Sequence, residues 1–358
     1  MNALQEVKRL GQSLWLDNLT RALLQNNGLQ QLVLDGISGV TSNPSILHKA
    51  VSGSTAYAAE LTTLRAGDLS PEQRYEHLVI PDIQAACELL QAVHTASGGD
   101  DGYVSLEVSP RLADDEAATV EEAMRLHALV NRRNLLIKVP ATPAGVRAFE
   151  RLIGDGINVN VTLMFSLQHV SDVAHAYVRG LHRWLDRGGD PRHPKAVASL
   201  FLSRVDTLVD QRLDALNSNE ARALRGKTAV ALAKLAYQHY RELFHQTSFA
   251  ELRQLGVRPQ YLLWASTGTK NPAYSDVQYV ESLIGPETIN TLPDATLAAF
   301  RDHGQARATL EEGVEAAEAQ FLVLEKLGIE LKAVGEVLQR QGVEQFDTAY
   351  SQLLALMK

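Results

Sequence analysis

Lys138 is the residue whose surroundings in the sequence most clearly suggest covalent chemistry. It lies within residues 134–140, an otherwise apolar run that ends at a proline. Such a run is typical of a strand buried on both faces of a parallel sheet. A lysine ammonium is costly to bury unless it is paired or loses its proton, and a neutral amine attacks carbonyl carbons. The sequence therefore favours Schiff-base chemistry at Lys138; the alternative is a structural lysine whose ammonium reaches water.

Two carboxylates, Asp17 and Glu107, stand in similar segments at residues 15–18 and 105–108. Schiff-base chemistry on a sugar needs groups that move protons while the carbinolamine forms and the C–C bond breaks. Two carboxylates in different surroundings can divide this work. Each also has a structural alternative: Asp17 could cap a following helix, and Glu107 could be a surface residue of an edge strand.

Neutral polar side chains near other strand ends fit a polyol as substrate. Three residues could form hydrogen bonds with its hydroxyl groups, namely Asn43, Asn160 and Thr162. Asn43 precedes a proline, so ordinary turn chemistry is the alternative there.

Arg204, Ser266 and Lys270 could together bind a phosphate group. Arginine offers a planar fork of donors, whereas lysine acts as a point charge. Arg204 could instead pair with Asp206 or Asp210 on a solvated helix face.

These residues can meet only if the fold brings strand ends together. Eight short runs have β character and are mostly separated by amphipathic helical patterns: residues 14–18, 39–41, 104–108, 135–139, 159–165, 196–202, 261–265 and 289–292. This alternation predicts an α/β protein with a parallel sheet, and eight units without a break in composition favour a single (β/α)8 TIM barrel over residues 1–358. An open doubly wound sheet is the alternative, but its first strand should lead into a glycine-rich turn, which is missing here.

Two regions exceed the minimal barrel. Residues 205–258 predict a helical insertion after the sixth strand, with one helix at 205–215 and a second at 228–244. Residues 305–358 predict a C-terminal helical extension with breaks near Gly328 and Gly342. Both are compatible with the range of sizes known for this architecture.

Composition limits the classes of binding partner and the cellular location that we expect for this protein. A net charge of −8 argues against nucleic acid and anionic membranes as partners. The single cysteine, Cys87, excludes an intrachain disulfide and a cysteine-based zinc cluster. No apolar stretch approaches the ~20 residues that span a bilayer, and the first eight residues contain no apolar signal core. We therefore expect a cytoplasmic protein, and the sequence leaves its oligomeric state open between monomer and homodimer.

Five segments resemble the transaldolases, class I aldolase-type enzymes of the pentose phosphate pathway. They are residues 15–21, 39–45, 105–108, 136–142 and 156–163. The lysine segment followed by Gly-Ile-Asn-Val-Asn-Val-Thr at 156–162 is specific for the family, and the length is similar to that of a longer bacterial subgroup. The resemblance implies transfer of a dihydroxyacetone unit from sedoheptulose 7-phosphate or fructose 6-phosphate to an aldose phosphate, without a metal or an organic cofactor.

The resemblance also implies catalytic roles for four residues. Lys138 is expected to form the Schiff base, and Asp17 to assist cleavage of the C–C bond. Glu107, acting with Thr162 through a water molecule, is expected to serve as acid and base in the carbinolamine and imine steps.

Binding roles follow in the same way. Asn43 and Asn160 are expected to bind substrate hydroxyls, Ser199 to lie near the catalytic centre, and Arg204 and Ser266 to bind the phosphate. Transaldolases commonly carry a second arginine just after this serine, whereas here Thr267-Gly268-Thr269-Lys270 follows. Lys270 is the candidate to replace that arginine.

Three other functions compete with transfer. A related fructose 6-phosphate aldolase would release free dihydroxyacetone, but that group tends to have Gln and Tyr where this chain has Glu107 and Phe201. A metal-dependent enzyme would need clustered ligands, and the eleven histidines lack such spacing. A non-enzymatic scaffold would have to bury Lys138 and the two carboxylates without using them, which is energetically unfavourable.

Overall fold

Eight parallel strands form a closed barrel in the computed structural model, which describes residues 2–358. The strands are β1 Gln12–Leu16, β2 Ile37–Thr41, β3 Val104–Glu107, β4 Leu135–Pro140, β5 Val159–Met164, β6 Ala196–Phe201, β7 Tyr261–Ala265 and β8 Thr288–Leu292. They follow one another in sequence order around the barrel, and β8 pairs with β1. The predicted barrel is confirmed, with strand ends that differ from prediction by at most two residues. Residue 1 of the predicted domain lies outside the described residues.

Helices surround the strands. They are α1 Ala3–Arg9, α2 Arg21–Gln25, α3 Gly28–Asp35, α4 Pro44–Gly53, α5 Ala58–Arg65, α6 Pro71–Ala96, α7 Glu116–Val130, α8 Pro143–Gly154, α9 Leu167–Asp186, α10 Ser203–Leu216, α11 Asn219–Ala223, α12 Thr228–Phe244, α13 Thr247–Gln254, α14 Gln278–Glu281, α15 Asp294–His303, α16 Val314–Lys326 and α17 Leu331–Leu356. Short 3-10 helices lie at Thr55–Tyr57 and Pro110–Leu112. No helix within residues 2–358 combines the length and the apolar character needed to cross a membrane.

Polar residues just after three strands fix where the next helices begin. The side chains of Asn43, Thr142 and Ser166 accept hydrogen bonds from backbone N–H groups in the first turns of α4, α8 and α9. Such N-caps satisfy backbone donors that have no partner inside the helix. The loops after β2, β4 and β5 are therefore short and well defined.

The insertion after β6 contains four helices rather than the predicted two. The predicted helices correspond to α10 and α12, and the short α11 and α13 were not predicted. Asn217 ends α10 in the left-handed conformation, at φ 48°, and the Ser218 side chain then caps α11. The polar residues between the two predicted helices therefore end one helix and begin another.

The C-terminal extension shows one of its two predicted breaks. A break near Gly328 is present, since α16 ends at Lys326 and α17 begins at Leu331. The predicted break near Gly342 is wrong, because α17 continues through this residue. A Cβ atom on Gly342 would lie 2.9 Å from Leu163 Cδ2, so the glycine permits close packing of the helix on the barrel.

Helix α17 lies across the C-terminal ends of the strands. Gln339 Nε2 donates hydrogen bonds to the carbonyl oxygens of Ala141, at 2.8 Å, and Leu163, at 3.1 Å, near the ends of β4 and β5. The helix also packs closely against α4 on the opposite side of the barrel mouth. The extension therefore covers part of the end of the barrel at which TIM barrels carry their chemistry.

Close contact between β1 and β2 depends on Gly39. This residue lies opposite Trp15 in the strand register, and a Cβ atom on it would come within 2.5 Å of the indole ring. Trp15 has no room to move, because it is fully buried and its Nε1 donates a hydrogen bond of 2.9 Å to Asp101 Oδ1.

We therefore expect Gly39→Ala to lower the free energy of unfolding by about 1–3 kcal/mol, the usual cost of overpacking a core. Denaturant unfolding followed by tryptophan fluorescence measures this change. Gly53→Ala is the control, because no atom lies within 4 Å of a Cβ placed there. Equal stability of the Gly39 and Gly53 variants would contradict the packing argument.

Candidate active site

A cavity of about 250 Å³ opens at the C-terminal end of the barrel, beneath α17. Eight of the predicted site residues line it, namely Asp17, Asn43, Lys138, Ser199, Phe201, Arg204, Ser266 and Lys270. They come from five different strands or the loops that follow them, as expected for a TIM barrel site. Three further predicted residues, Glu107, Asn160 and Thr162, lie outside the cavity wall.

Lys138 is buried and held between two oxygen atoms. Its residue is 4% exposed, and its Nζ donates a hydrogen bond of 3.1 Å to the Ser42 carbonyl oxygen. The same Nζ lies 3.5 Å from Glu107 Oε2. The alternative of a lysine that extends to water is therefore excluded. The amine forms part of the cavity wall and is paired with a carboxylate rather than isolated among apolar groups.

Glu107 is the buried partner of Lys138 on the neighbouring strand, where the two residues are in register. A closed barrel has no edge strand, and the Glu107 side chain is only 6% exposed, so the surface alternative is wrong. Burial raises the pKa of Glu107 to about 7, because the carboxylate loses its hydration. The Lys138 ammonium opposes this shift, and the nearby charge of Asp17 adds to it. Near neutral pH the group can therefore both give and take a proton.

Asp17 follows β1 and faces the same cavity. Its backbone N–H donates to the Leu292 carbonyl oxygen at 2.8 Å, and its Oδ1 accepts a hydrogen bond of 2.7 Å from Thr41 Oγ1. Burial raises the pKa of Asp17, while Lys138 and this hydrogen bond lower it. The residue does not cap α2, because Thr20 does so. Two carboxylates in different surroundings thus flank one amine.

Asn160 lies behind the cavity wall rather than in it. The residue is fully buried, its Nδ2 donates to Ser105 Oγ at 3.0 Å, and its Oδ1 accepts from Ser199 Oγ at 2.7 Å. These contacts orient the amide and position Ser199, and they leave one N–H of Nδ2 free, so the expected contact with a substrate hydroxyl stays a prediction. Thr162 is also fully buried, and its Oγ1 finds no hydrogen-bond partner among residues 2–358; the same holds for Glu107 Oε2.

Asn43 has a structural role and a place in the cavity wall. Its Oδ1 accepts a hydrogen bond of 3.0 Å from the backbone N–H of Ile46, which makes it the N-cap of α4. The turn-chemistry alternative is therefore correct for the oxygen atom. The amide nitrogen and the second lone pair of Oδ1 are left for a substrate hydroxyl.

Arg204 projects into the cavity without a carboxylate partner among residues 2–358. The two suspected partners are engaged elsewhere: Asp206 accepts from Tyr279 and Asp210 from Tyr274. The guanidinium carbon lies 5.5 Å from the centre of the Phe201 ring. A cation packed on an aromatic ring and free of an ion pair is well suited to bind an anion.

Lys270 and Lys49 add to the positive charge on this side of the cavity. Burial lowers the pKa of Lys270, and the like charges of Arg204 and Lys49 lower it further. Ser266 completes this wall; its backbone is left-handed, at φ 55°, and its Oγ lies 2.8 Å from Ser203 Oγ. Left-handed backbone is unusual outside glycine and is often found at functional sites.

Sequence reasoning assigned no role to several residues that line the cavity, among them Ser45, Lys49 and Phe346. Ser45 and Lys49 are four residues apart on α4 and therefore share a face of that helix. Recognition of Asn43 as a helix cap would have identified this face. No local signal identified Phe346, because it reaches the cavity from α17, which is remote in sequence.

Similarity to known proteins covers nearly the whole chain. The profile of the family described as Transaldolase/Fructose-6-phosphate aldolase matches residues 14–357. A protein named Transaldolase from Thiobacillus denitrificans is 57% identical over 356 residues, which cover 99% of both chains. A Transaldolase from Neisseria gonorrhoeae is 49% identical with the same coverage, and Transaldolase 2 of Streptomyces coelicolor is 44% identical over 99% of this chain and 95% of its own. This chain belongs to the transaldolase/fructose-6-phosphate aldolase family.

Proposed function

We propose that this transaldolase transfers a dihydroxyacetone unit from a ketose phosphate, such as sedoheptulose 7-phosphate or fructose 6-phosphate, to an aldose phosphate through a Schiff base at Lys138. One observation supports this most strongly: Lys138 Nζ lies in the cavity wall, 3.5 Å from a carboxylate whose pKa is raised to about 7. An amine beside a group that can give and take a proton is what imine formation requires.

The first steps join the ketose to the enzyme. Glu107 takes a proton from the ammonium group, Lys138 Nζ forms a bond to the keto carbon, and the proton that this nitrogen then loses passes to the former carbonyl oxygen. Protonated Glu107 then assists loss of this oxygen as water, which leaves an iminium group. Thr162 Oγ1, buried without a protein partner, is available to hold the water molecule that carries the proton.

Cleavage then depends on Asp17. The carboxylate takes the proton of the hydroxyl group next to the bond that breaks, the aldose leaves, and the electron pair moves into the iminium group to give an enamine. The hydrogen bond from Thr41 keeps the Asp17 carboxylate in place. The same steps in reverse add the enamine to the aldehyde carbon of the acceptor.

The cations on the other side of the cavity provide the affinity for phosphate. Arg204, Lys270 and Lys49 converge there without an ion pair among residues 2–358. Arg204 supplies a fork of donors, and the lysines supply further charge. This wall supports sugar phosphates rather than free sugars as substrates.

Release of free dihydroxyacetone, as in a fructose 6-phosphate aldolase, is the alternative within the family. Glu107 and Phe201 at the two diagnostic positions favour transfer, and the similar proteins compared above bear the name transaldolase. We also propose a cytoplasmic location, supported by a single cysteine, Cys87, which is buried as a free thiol.

Borohydride reduction should trap the Schiff base on Lys138. We expect incubation with fructose 6-phosphate and sodium borohydride to add the reduced sugar fragment to the peptide that contains Lys138, as read by mass spectrometry of a digest. Lys138→Ala is the control and should show neither adduct nor turnover while keeping the native circular dichroism spectrum. An adduct on another lysine would refute the assignment.

The pH dependence of imine formation should report on Glu107. Because the pKa of Glu107 is raised to about 7, the base form that takes the ammonium proton declines as the pH falls below this value, and the acid form that assists loss of water declines as the pH rises above it. We expect the rate of imine formation to decline on both sides of about pH 7, and Glu107→Gln to remove this dependence and to lower kcat by about 10²–10⁴-fold. Glu315→Gln, an exposed substitution on α16, should leave the profile unchanged. If the pH dependence of imine formation is unchanged in Glu107→Gln, another residue carries out the proton transfer.

Loss of Arg204 should weaken binding of phosphorylated substrates in particular. We expect Arg204→Ala to raise KM for fructose 6-phosphate by about 10–100-fold, the effect of losing one to two charge-assisted hydrogen bonds. The weak turnover of unphosphorylated fructose should change little. Arg222→Ala, on the exposed helix α11, serves as the control. An equal loss with both sugars would argue against a phosphate contact.

A further inference from the structure

We propose that Phe346, on α17, determines whether the bound dihydroxyacetone unit is transferred to an acceptor or released. This inference rests on the proposed Schiff-base chemistry at Lys138. It concerns a residue from the C-terminal extension, outside the strands that supply the other catalytic groups.

Phe346 forms the wall of the cavity above the reactive amine. Its residue is 3% exposed, and the centre of its ring lies 5.9 Å from Lys138 Nζ. The same ring centre lies 6.0 Å from the guanidinium carbon of Arg204, which packs on Phe201 as well. Phe346 therefore contacts the two sides of the site at once, the amine and the cation proposed to bind phosphate.

The helix that carries Phe346 is fixed to the barrel at both ends. Gln339, two turns before it, is bound to the carbonyl oxygens of Ala141 and Leu163. Tyr350, one turn after it, packs edge to face on Tyr75 with ring centres 5.7 Å apart. These contacts hold the aromatic ring at a defined height above Lys138.

Farther along, the end of α17 is held by a second group of contacts. Arg111 Nη2 donates to Ser351 Oγ at 3.1 Å, and Arg74 Nη1 donates to the Met357 carbonyl oxygen at 2.8 Å. The wall above the amine is thus an ordered part of the fold, and its shape is set by the side chain at position 346.

Two fates are open to the enamine after the first aldose leaves. In transfer, its nucleophilic carbon forms a bond to the aldehyde carbon of the acceptor, and the aldehyde oxygen gains a proton. In release, the same carbon gains a proton from a water molecule or a hydrated acid. Either route regenerates an iminium group, which one water molecule hydrolyses so that the C–N bond breaks and Lys138 is free again.

The two fates differ only in what reaches the enamine carbon first. An aromatic ring offers no acidic proton, and it occupies space that a water molecule would otherwise fill. Removal of the ring would leave a space bordered by Lys138 Nζ and the Arg204 guanidinium. Polar groups on the border of a space are what an ordered water molecule needs. The ring therefore favours transfer by keeping proton donors away from the enamine.

The test measures how the enamine is partitioned. Full-length protein is supplied with fructose 6-phosphate and an aldose acceptor, and the ratio of free dihydroxyacetone to transfer product is determined. We expect Phe346→Ala to raise this ratio by about tenfold or more. Phe346→Leu, which keeps an apolar side chain, should restore a ratio close to that of the unaltered protein.

This ratio does not depend on the amount of folded enzyme, so loss of stability alone cannot change it. Phe300→Ala is the matched control, because Phe300 is fully buried in α15 and does not line the cavity. It should lower stability without changing the ratio.

The possible failures can be told apart. An unchanged ratio in Phe346→Ala, with a normal borohydride adduct on Lys138, overturns the role of Phe346 and leaves the Schiff-base function intact. If the Ala and Leu variants raise the ratio equally, the argument that any apolar side chain at position 346 is enough to favour transfer is overturned. Absence of any adduct in the unaltered protein overturns the proposed function and this inference together.

Discussion

The pair formed by Lys138 and Glu107 is the constraint on which the rest of the site depends. The two residues face each other in register on β3 and β4, and both side chains are almost completely buried. Loss of either partner leaves the other buried alone, which lowers stability unless that group becomes neutral. A slip of one residue between the strands would turn one of them out of the barrel. The fold thus fixes the amine and its carboxylate partner at one place, with the amine in the cavity wall.

The molecule as a whole is acidic, whereas one side of the candidate site is basic. The chain carries a net charge of −8, yet Arg204, Lys270 and Lys49 converge on one side of the cavity. Partial desolvation, and then the mutual repulsion of these cations, lower the pKa of Lys270, and the repulsion opposes stability unless an anion joins them. The average charge argued against extended polyanions as partners, but it contained no information about a pocket for one phosphate group. Such local features depend on which side chains the fold brings together.

Much of the barrel was predictable because its signals are local. Apolar runs of strand length marked all eight strands, and a charged residue within such a run, as at Lys138, marked the site. What could not be predicted depends on contacts between distant residues. The hydrogen bonds that join Asn160 to Ser105 and Ser199, on β3 and β6, are an example. Gly342 was expected to end a helix but lies inside α17. Sequence alone cannot distinguish a glycine needed for close packing from one that ends a helix.

If the phosphate binds near Arg204 and Lys270, as proposed, the position of α17 also orients the substrate. Gln339 holds this helix to the ends of β4 and β5, and Phe346 closes the space above Lys138. The opposite side of the cavity remains accessible, because Lys49 and Lys270 are both exposed there. A sugar phosphate that keeps its charged end near these lysines must place its keto end beneath the aromatic ring. The helix that covers the amine therefore also sets the direction in which the substrate enters. Only the keto end of the substrate can lose its hydration beneath this helix at low cost.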